Sequence, residues 1–256
     1  LPLSIRNSVY YAGRLQAGIG GEACERAFSI AASKSFTEER FVIMSLEYSQ
    51  FGRRQRSVLA AGRNGSHVLV VAGPTAGVGK TFIAANLADV NARGGKRVLL
   101  IDADLRHGRV AAIFGLPPGA GLAHWLTGRI DAASAVRHVD VPGLDVMTAG
   151  GALADPSELL ANGRLPELLE QLSPLYDLII IDTPAILAFD DASTVAALGG
   201  STIVVARPGP RSEEEIDDAV STLQRSGANV AGVVFNTAPR RAGEMVTRRR
   251  RAFAAS

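Results

Sequence analysis

VLVVAGPTAGVGKTFIAANLADV, from Val68 to Val90, joins three kinds of sequence in one unbroken stretch. Val68 to Ala72 is an apolar run of strand length, ended by Gly73-Pro74. From Thr81 to Arg93 the residues Phe82, Ile83, Ala85, Leu87 and Val90 recur at helical spacing, and Gly94-Gly95 stops the pattern. Between strand and helix lies Gly73-Pro74-Thr75-Ala76-Gly77-Val78-Gly79-Lys80-Thr81. Backbone N–H groups of a glycine-rich turn can wrap phosphate oxygens, and the helix N-terminus adds positive potential. In such a loop Lys80 neutralises charge on the β- and γ-phosphates, and the Thr81 hydroxyl can ligate magnesium. The candidate nucleotide contacts are Gly73, Thr75, Ala76, Gly77, Val78, Gly79, Lys80, Thr81 and Phe82. The strict spacing G-x-x-x-x-G-K-[ST] calls for glycine at position 74, where this chain has Pro74. Gly73 comes one residue early, so the loop is a variant.

Working outward, further apolar runs alternate with helical patterns. VLLID (98–102), Leu144 to Met147, LIIID (178–182), TIVVA (202–206) and VAGVVFN (230–236) read as strands. Arg164 to Leu172 carries four leucines on one helical face. Ser212 to Ser226 reads as a helix with a Ser212/Glu215 capping box and a Gly227 stop. Strands apolar throughout, alternating with helices, predict an α/β fold of the P-loop NTPase type. Its sheet is mostly parallel, with helices on both faces.

Two of those strands end in acid. Leu99-Leu100-Ile101-Asp102-Ala103-Asp104-Leu105-Arg106 delivers two carboxylates to the edge where open α/β sheets bind ligands. Taken alone, Asp-x-Asp-x-Arg is more often a turn with a local salt bridge. Beside a phosphate loop it gains a use, because a magnesium–nucleotide needs oxygen ligands and a proton acceptor. Ile179-Ile180-Ile181-Asp182-Thr183-Pro184 ends the same way, so Asp182 is a further candidate near magnesium. A nicotinamide-cofactor reading fails, since that fingerprint needs G-x-G-x-x-G and has no use for GKT.

Composition bounds the rest. The 256 residues are 47% apolar and 20% charged, an ordinary globular balance. Net charge is +2, so no nucleic-acid partner is expected. Lysine occurs only at 34, 80 and 96, which makes Lys80 inside the loop the more telling. The one cysteine, Cys24, excludes an intrachain disulfide and argues against a thiolate metal site. No stretch approaches the roughly 20 apolar residues of a membrane span. The chain starts at Leu1, not Met, so a piece of something longer is expected.

Residues 1–66 read as an N-terminal extension, with a helix over Thr37 to Phe51 and a linker at Gly62 to Ser66. Residues 67–238 form the nucleotide-binding domain, and 239–256 a basic tail ending in Arg248 to Arg251. Trp125 and Leu126 are core candidates. His67, His107, His124 and His138 have no metal-ligand spacing.

GPTAGVGKT, LLIDADLR and LIIIDTP, in that order, resemble the cytoplasmic domains of bacterial tyrosine kinases, a deviant-Walker branch of the P-loop ATPases. The resemblance runs from about Val68 to Pro239. It takes in Asp155 to Leu160, Asp191-Ala192 and Gly232 to Asn236. It implies an ATP- and magnesium-dependent tyrosine autokinase that regulates capsule or exopolysaccharide synthesis and export. Lys80 and the Gly77 to Thr81 backbone would hold phosphates, and Thr81, Asp102 and Asp182 would hold magnesium. Asp104 would take the tyrosine proton, and Asn236 would lie near the adenine. Implied partners are a membrane co-polymerase or activator segment, tyrosine-containing protein substrates and further copies of the chain. The implied location is the cytoplasmic face of the bacterial inner membrane.

The chain departs from the family in two places. The ring-forming E-x-x-R-x-x-R positions fall on Phe41, Met44 and Glu47, and the tail has no tyrosine. Tyrosines stand only at 10, 11, 48 and 176, of which Tyr10 and Tyr11 are conceivable acceptors. Two rival readings follow: a partner-activated ATPase of the ParA/MinD type, and a non-enzymatic ATP-binding adaptor of polysaccharide assembly. ParA/MinD relatives carry a signature lysine where this chain has Thr75, which favours the kinase branch.

Overall fold

The computed structural model describes residues 9–11, 42–45, 67–151, 153 and 155–236. Within them the strands are β1 (Val9–Tyr11), β2 (Val42–Ser45), β3 (Val68–Ala72), β4 (Val98–Asp102), β5 (Arg137–His138), β6 (Leu144–Met147), β7 (Leu178–Asp182), β8 (Ser201–Ala206) and β9 (Val230–Phe235). The helices are α1 (Lys80–Arg93), α2 (Val110–Ile113), α3 (Leu122–Leu126), α4 (Ala132–Ala135), α5 (Pro156–Ala161), α6 (Arg164–Leu172), α7 (Asp191–Leu198) and α8 (Ser212–Arg225). All the strands join one sheet in the order β1-β2-β9-β8-β3-β7-β4-β6-β5. Every neighbouring pair from β2 to β6 is parallel, and only the outermost pairs, β1–β2 and β5–β6, are antiparallel.

The period-2 alternation of a strand divides the apolar residues between two layers. Leu69, Val71, Leu100, Ile180, Ile203 and Val205 pack on the face covered by α1 and α2. Val70, Leu99, Ile101, Ile179, Ile181 and Val204 pack on the opposite face with α3 to α8. Burial on both faces is why these strands read as continuous apolar runs. Trp125 and Leu126 are buried in the second layer, as expected from sequence. The Arg164 guanidinium covers the Trp125 ring at 4.7 Å.

The expected strands and the three long helices are present, with boundaries within one residue. Both glycine stops work through the backbone. Gly95 has φ 89°, and its N–H donates to Ala92 O (2.9 Å) while Lys96 N–H donates to Asn91 O (3.2 Å). Gly227, at φ 85°, ends α8 with the same double closure, from Gly227 N–H to Gln224 O and from Ala228 N–H to Leu223 O.

Two expectations are corrected. Ser212 does not cap α8: it is the first helical residue, preceded by Arg211 with no side-chain cap. Its buried hydroxyl turns back and donates to Gly209 O at 2.8 Å, so the Gly209–Arg211 turn claims it. The second correction concerns the helix expected over Thr37 to Phe51. Val42–Ser45 is a strand there, in parallel register with β9 from Val42↔Gly232 to Ser45↔Phe235. Without it β9 would present an unpaired edge, and Val42 and Ile43 suit a strand. The rest of that expected helix, the 62–66 linker, Cys24, Tyr48 and the basic tail lie outside the described residues.

Substitution in the central strand tests this layering. Ile180→Ala should lower unfolding free energy by about 2–5 kcal/mol. Leu175→Ala, at a side chain 55% exposed, should change it by less than about 0.5 kcal/mol. Urea titration followed by circular dichroism measures both.

Candidate functional site

Sheet order brings the three sequence motifs together. β3, β7 and β4 are adjacent, so the phosphate loop and both acidic strand ends emerge at one edge. Asp102 and Asp182 stand directly opposite each other in register. The edge is stitched by Ala103 N–H to Asp182 O (2.8 Å) and by the Thr183 hydroxyl to Val71 O (3.0 Å). Thr183 was quoted in the motif, but its role follows only from the β3–β7 pairing.

The loop is shaped by its glycines. Gly79 has φ 100°, and a Cβ there would fall 2.1 Å from the Asn236 amide nitrogen. A Cβ on Gly73 would fall 2.5 Å from Val205 O on β8. That close pass of β8 explains why the first glycine is needed at 73. Lys80 folds back across the loop, and its Nζ donates to Thr75 O at 3.0 Å. Thr75, Ala76 and Gly77 are at least partly exposed at the mouth, Thr81 is half-buried, and Val78 is buried. Phe82 packs on the α1 side of the core. The first-turn N–H groups of α1 have no intrahelical acceptor, which leaves them for a ligand. Asn236, at the end of β9, donates from Nδ2 to Val78 O at 2.9 Å and so braces the loop from two strands away.

Charge at this edge is unbalanced. Burial pushes the Asp182 carboxyl well above the ordinary range and Asp102 pushes it further, against the pull of the Thr81 hydroxyl and Lys80. Among the described residues, neither Asp182 oxygen meets a partner at full hydrogen-bond distance, the Thr81 hydroxyl lying near without closing on it. Burial also raises Asp102, with Asp104 adding to it, although Val110 N–H (3.0 Å) and Asp104 N–H (3.2 Å) donate to its oxygens. Lys80 is held below the usual lysine range by burial, which outweighs the attraction of Asp182 and Asp104. Two buried carboxylates with one ammonium are a cation-seeking arrangement. Among the described residues, no cluster of three or more His, Cys, Asp or Glu is arranged to hold a metal by itself. Two carboxylates suit a hard divalent cation that takes its remaining ligands from substrate phosphates.

Asp104 is half-buried, and its Oδ1 accepts the N–H of Arg106 (3.3 Å) and of His107 (2.8 Å). The His107 ring is 3.9 Å away and largely exposed. Arg106 makes no local salt bridge. Its Nε donates to Asp191 Oδ2 on α7 at 3.0 Å and its Nη2 to Ser157 Oγ on α5 at 2.8 Å. The guanidinium also lies 4.3 Å above the Phe189 ring. Gly108 completes the turn, since a Cβ there would meet Asp102 Oδ2 at 2.8 Å and Ala149 at 2.6 Å. Sequence reasoning missed Gly108 and the Arg106 partners. The only signal was that Asp155 to Leu160 and Asp191-Ala192 belong to the recognised pattern.

A domain model described as "AAA domain" matches residues 66–227. The putative tyrosine-protein kinase EpsB of Ralstonia nicotianae is 43% identical over 173 residues, 68% of this chain and 23% of that protein. The kinase domain of the Escherichia coli tyrosine kinase ETK is 36% identical, with a TM-score of 0.66 over 69% of each chain. The BceF tyrosine kinase domain is also 36% identical, with a TM-score of 0.69 over 85% of this chain and 87% of that one. The chain belongs to the bacterial tyrosine-kinase domain family. It spans about a quarter of the length of the curated relatives it matches. Its P-loop fold is one that binds nucleotide with a divalent metal. Among the described residues, no helix of this kinase-family domain is long and apolar enough to cross a membrane.

The charge imbalance has a measurable sign. A carboxyl raised in the folded state stabilises the protein fully below its unfolded value of about 4, and that contribution is lost as pH rises through the folded value. Without nucleotide, Asp182→Asn should therefore melt higher than wild type at pH 8, by about 2–4 °C per kcal/mol relieved. The difference should shrink toward pH 5. Saturating magnesium and ATP should raise the melting temperature of wild type more than that of the variant.

Proposed function

We propose that this chain is the ATP-dependent protein-tyrosine kinase domain of a capsule or exopolysaccharide assembly system. The observation that carries the reading is the placement of Asp104 at the strand edge that holds Lys80, Asp102 and Asp182. Asp104 has two backbone donors and a half-exposed position, so it can meet an incoming hydroxyl. A phosphate loop alone would serve any nucleotide chemistry. A second carboxylate beside the metal-side pair suits transfer to an alcohol.

In this reading the glycine loop and the first turn of α1 hold the ATP phosphates. Lys80 neutralises charge that develops on the transferring group. Thr81, Asp102 and Asp182 hold magnesium, which supplies further charge neutralisation on the phosphates when bound. The acceptor tyrosine oxygen attacks the γ-phosphorus, the bond to the bridging oxygen breaks, and ADP leaves. The hydroxyl proton passes to Asp104. Asn236 is the candidate contact to the adenine side while it braces the loop.

The surrounding system belongs to the same proposal. Its elements are a membrane co-polymerase or activator, tyrosine-bearing substrates, further copies of the chain and a site of action at the cytoplasmic face of the inner membrane. The names of the EpsB and ETK relatives support kinase activity as a family property.

Incubation with ATP and magnesium, followed by phosphosite mapping by mass spectrometry, tests the proposal. Wild type should form phosphotyrosine on itself or on a tyrosine-containing peptide. Lys80→Met should abolish it. Asp104→Asn should reduce it by at least about 100-fold while nucleotide affinity stays within about threefold. Phosphate release without phosphotyrosine would replace the proposal with a simple ATPase, and ATP binding with neither product would make the chain an adaptor.

A further inference from the structure

The guanidinium of Arg106 is committed on three sides, and none of its partners belongs to the phosphate loop. Asp191 takes Nε at 3.0 Å and lies within 3.5 Å of Nη2. The Asp191 side chain is fully buried. Ser157 accepts from Nη2 and donates its own hydroxyl to Asp191, which closes a three-membered polar ring. Phe189 covers the face of the guanidinium. A planar bidentate cation with a buried carboxylate, a bridging hydroxyl and an aromatic lid has little freedom left.

That fixed side chain belongs to the same short turn as Asp104. Asp104 Oδ1 is oriented by the N–H groups of Arg106 and His107, so the carboxylate points where the 105–107 turn allows. Leu105 packs into the core and Gly108 fits closely against Ala149, but among the described residues Arg106 is the one side chain of the turn that holds it by hydrogen bonds to other elements, since His107 is exposed. The anchor reaches α7, whose first residue is Asp191, and Phe189 in the segment that leads there from Asp182. One side chain thus ties the segment after β4 to the segment after β7.

We infer that Arg106 is a positioning residue: through Asp191, Ser157 and Phe189 it fixes the turn that aims the Asp104 carboxylate, without touching the nucleotide. The inference rests on the kinase reading only for what Asp104 does. The fixing of the turn stands apart from it. Several consequences separate this role from phosphate binding. Loss of Arg106 should spare ATP affinity. Its effect on turnover should disappear once Asp104 has lost its function. Loss of Asp191 should mimic loss of Arg106, because each leaves the other without its counter-charge.

A double-mutant cycle in the whole 256-residue chain tests this, with magnesium–ATP and a synthetic tyrosine-containing peptide as probes. Arg106→Gln and Asp191→Asn should each lower kcat by about 10- to 100-fold, with ATP Kd within about threefold of wild type. In an Asp104→Asn background, Arg106→Gln should cost nothing further. Amide hydrogen exchange gives a readout independent of product: the Arg106 and His107 N–H groups should lose protection in Arg106→Gln. Arg106→Lys, which keeps the charge but not the bidentate geometry, serves if the Gln variant does not fold. It should show the same losses in smaller measure. The inference is overturned by ATP affinity falling in step with kcat, by an undiminished Arg106→Gln effect in the Asp104→Asn background, or by unchanged amide protection. If wild type forms no phosphotyrosine, the kinase reading fails by itself, and amide protection alone decides whether Arg106 holds the turn.

Discussion

Two aspartates on neighbouring parallel strands, level with each other and cut off from water, govern this molecule. Asp102 and Asp182 are in register because β4 and β7 pair residue for residue. Like charges that close and that buried oppose folding unless something positive meets them. Among the described residues Lys80 is the only lysine near enough to matter, and burial already weakens its own charge. The edge is therefore built to be incomplete. Backbone donors from Val110 and Asp104 relieve Asp102, whereas among the described residues nothing meets the Asp182 oxygens at full hydrogen-bond distance. Sheet order, glycine placement and the buried lysine can each be read as ways of tolerating that deficit until phosphate and metal arrive.

The strain of such a site is carried by rigid surroundings. The loop is pinned by Asn236 from β9, by the carbonyl of Val205 against Gly73, and by Lys80 on Thr75. The acidic turn is pinned by Arg106 and by the close fit of Gly108. Apart from Lys80 on Thr75, each pin links elements remote in sequence, so the pocket depends on the whole sheet. Preorganisation of this kind is what electrostatic catalysis requires, because dipoles already in place need not reorganise during reaction.

Much of this was legible in the chain alone, for a physical reason. Strands buried on both faces must be apolar throughout, so β3, β4, β7, β8 and β9 announced themselves. Asp102 and Asp182 stood at the ends of two of those runs and Lys80-Thr81 opened the helix after a third, where the α/β arrangement places ligands. Pairing between distant elements could not be read. Taken alone, the motif would pair Arg106 with a neighbouring acid, but its carboxylate partner lies on α7. Ser212 looked like a cap, and the preceding turn takes its hydroxyl. Val42–Ser45 fell within an expected helix, and only the open edge of β9 makes it a strand. In each case tertiary contact overrode a local preference of comparable size.

The parallel pairing of β2 with β9 also sets a timetable. The strand at Val42 to Ser45 is made well before its partner at Gly232 to Phe235, which is among the last parts of the sheet to be made. β2 therefore cannot pair with β9 until nearly every other strand of the sheet has been made. Contacts of such sequence separation are slow to form, because a long loop has to close before they reward the chain. β1, whose partner among the described residues is β2, joins the rest of the sheet through it. The nucleotide-binding centre of the sheet can thus assemble before the pairing of β2 with β9 completes its outer margin.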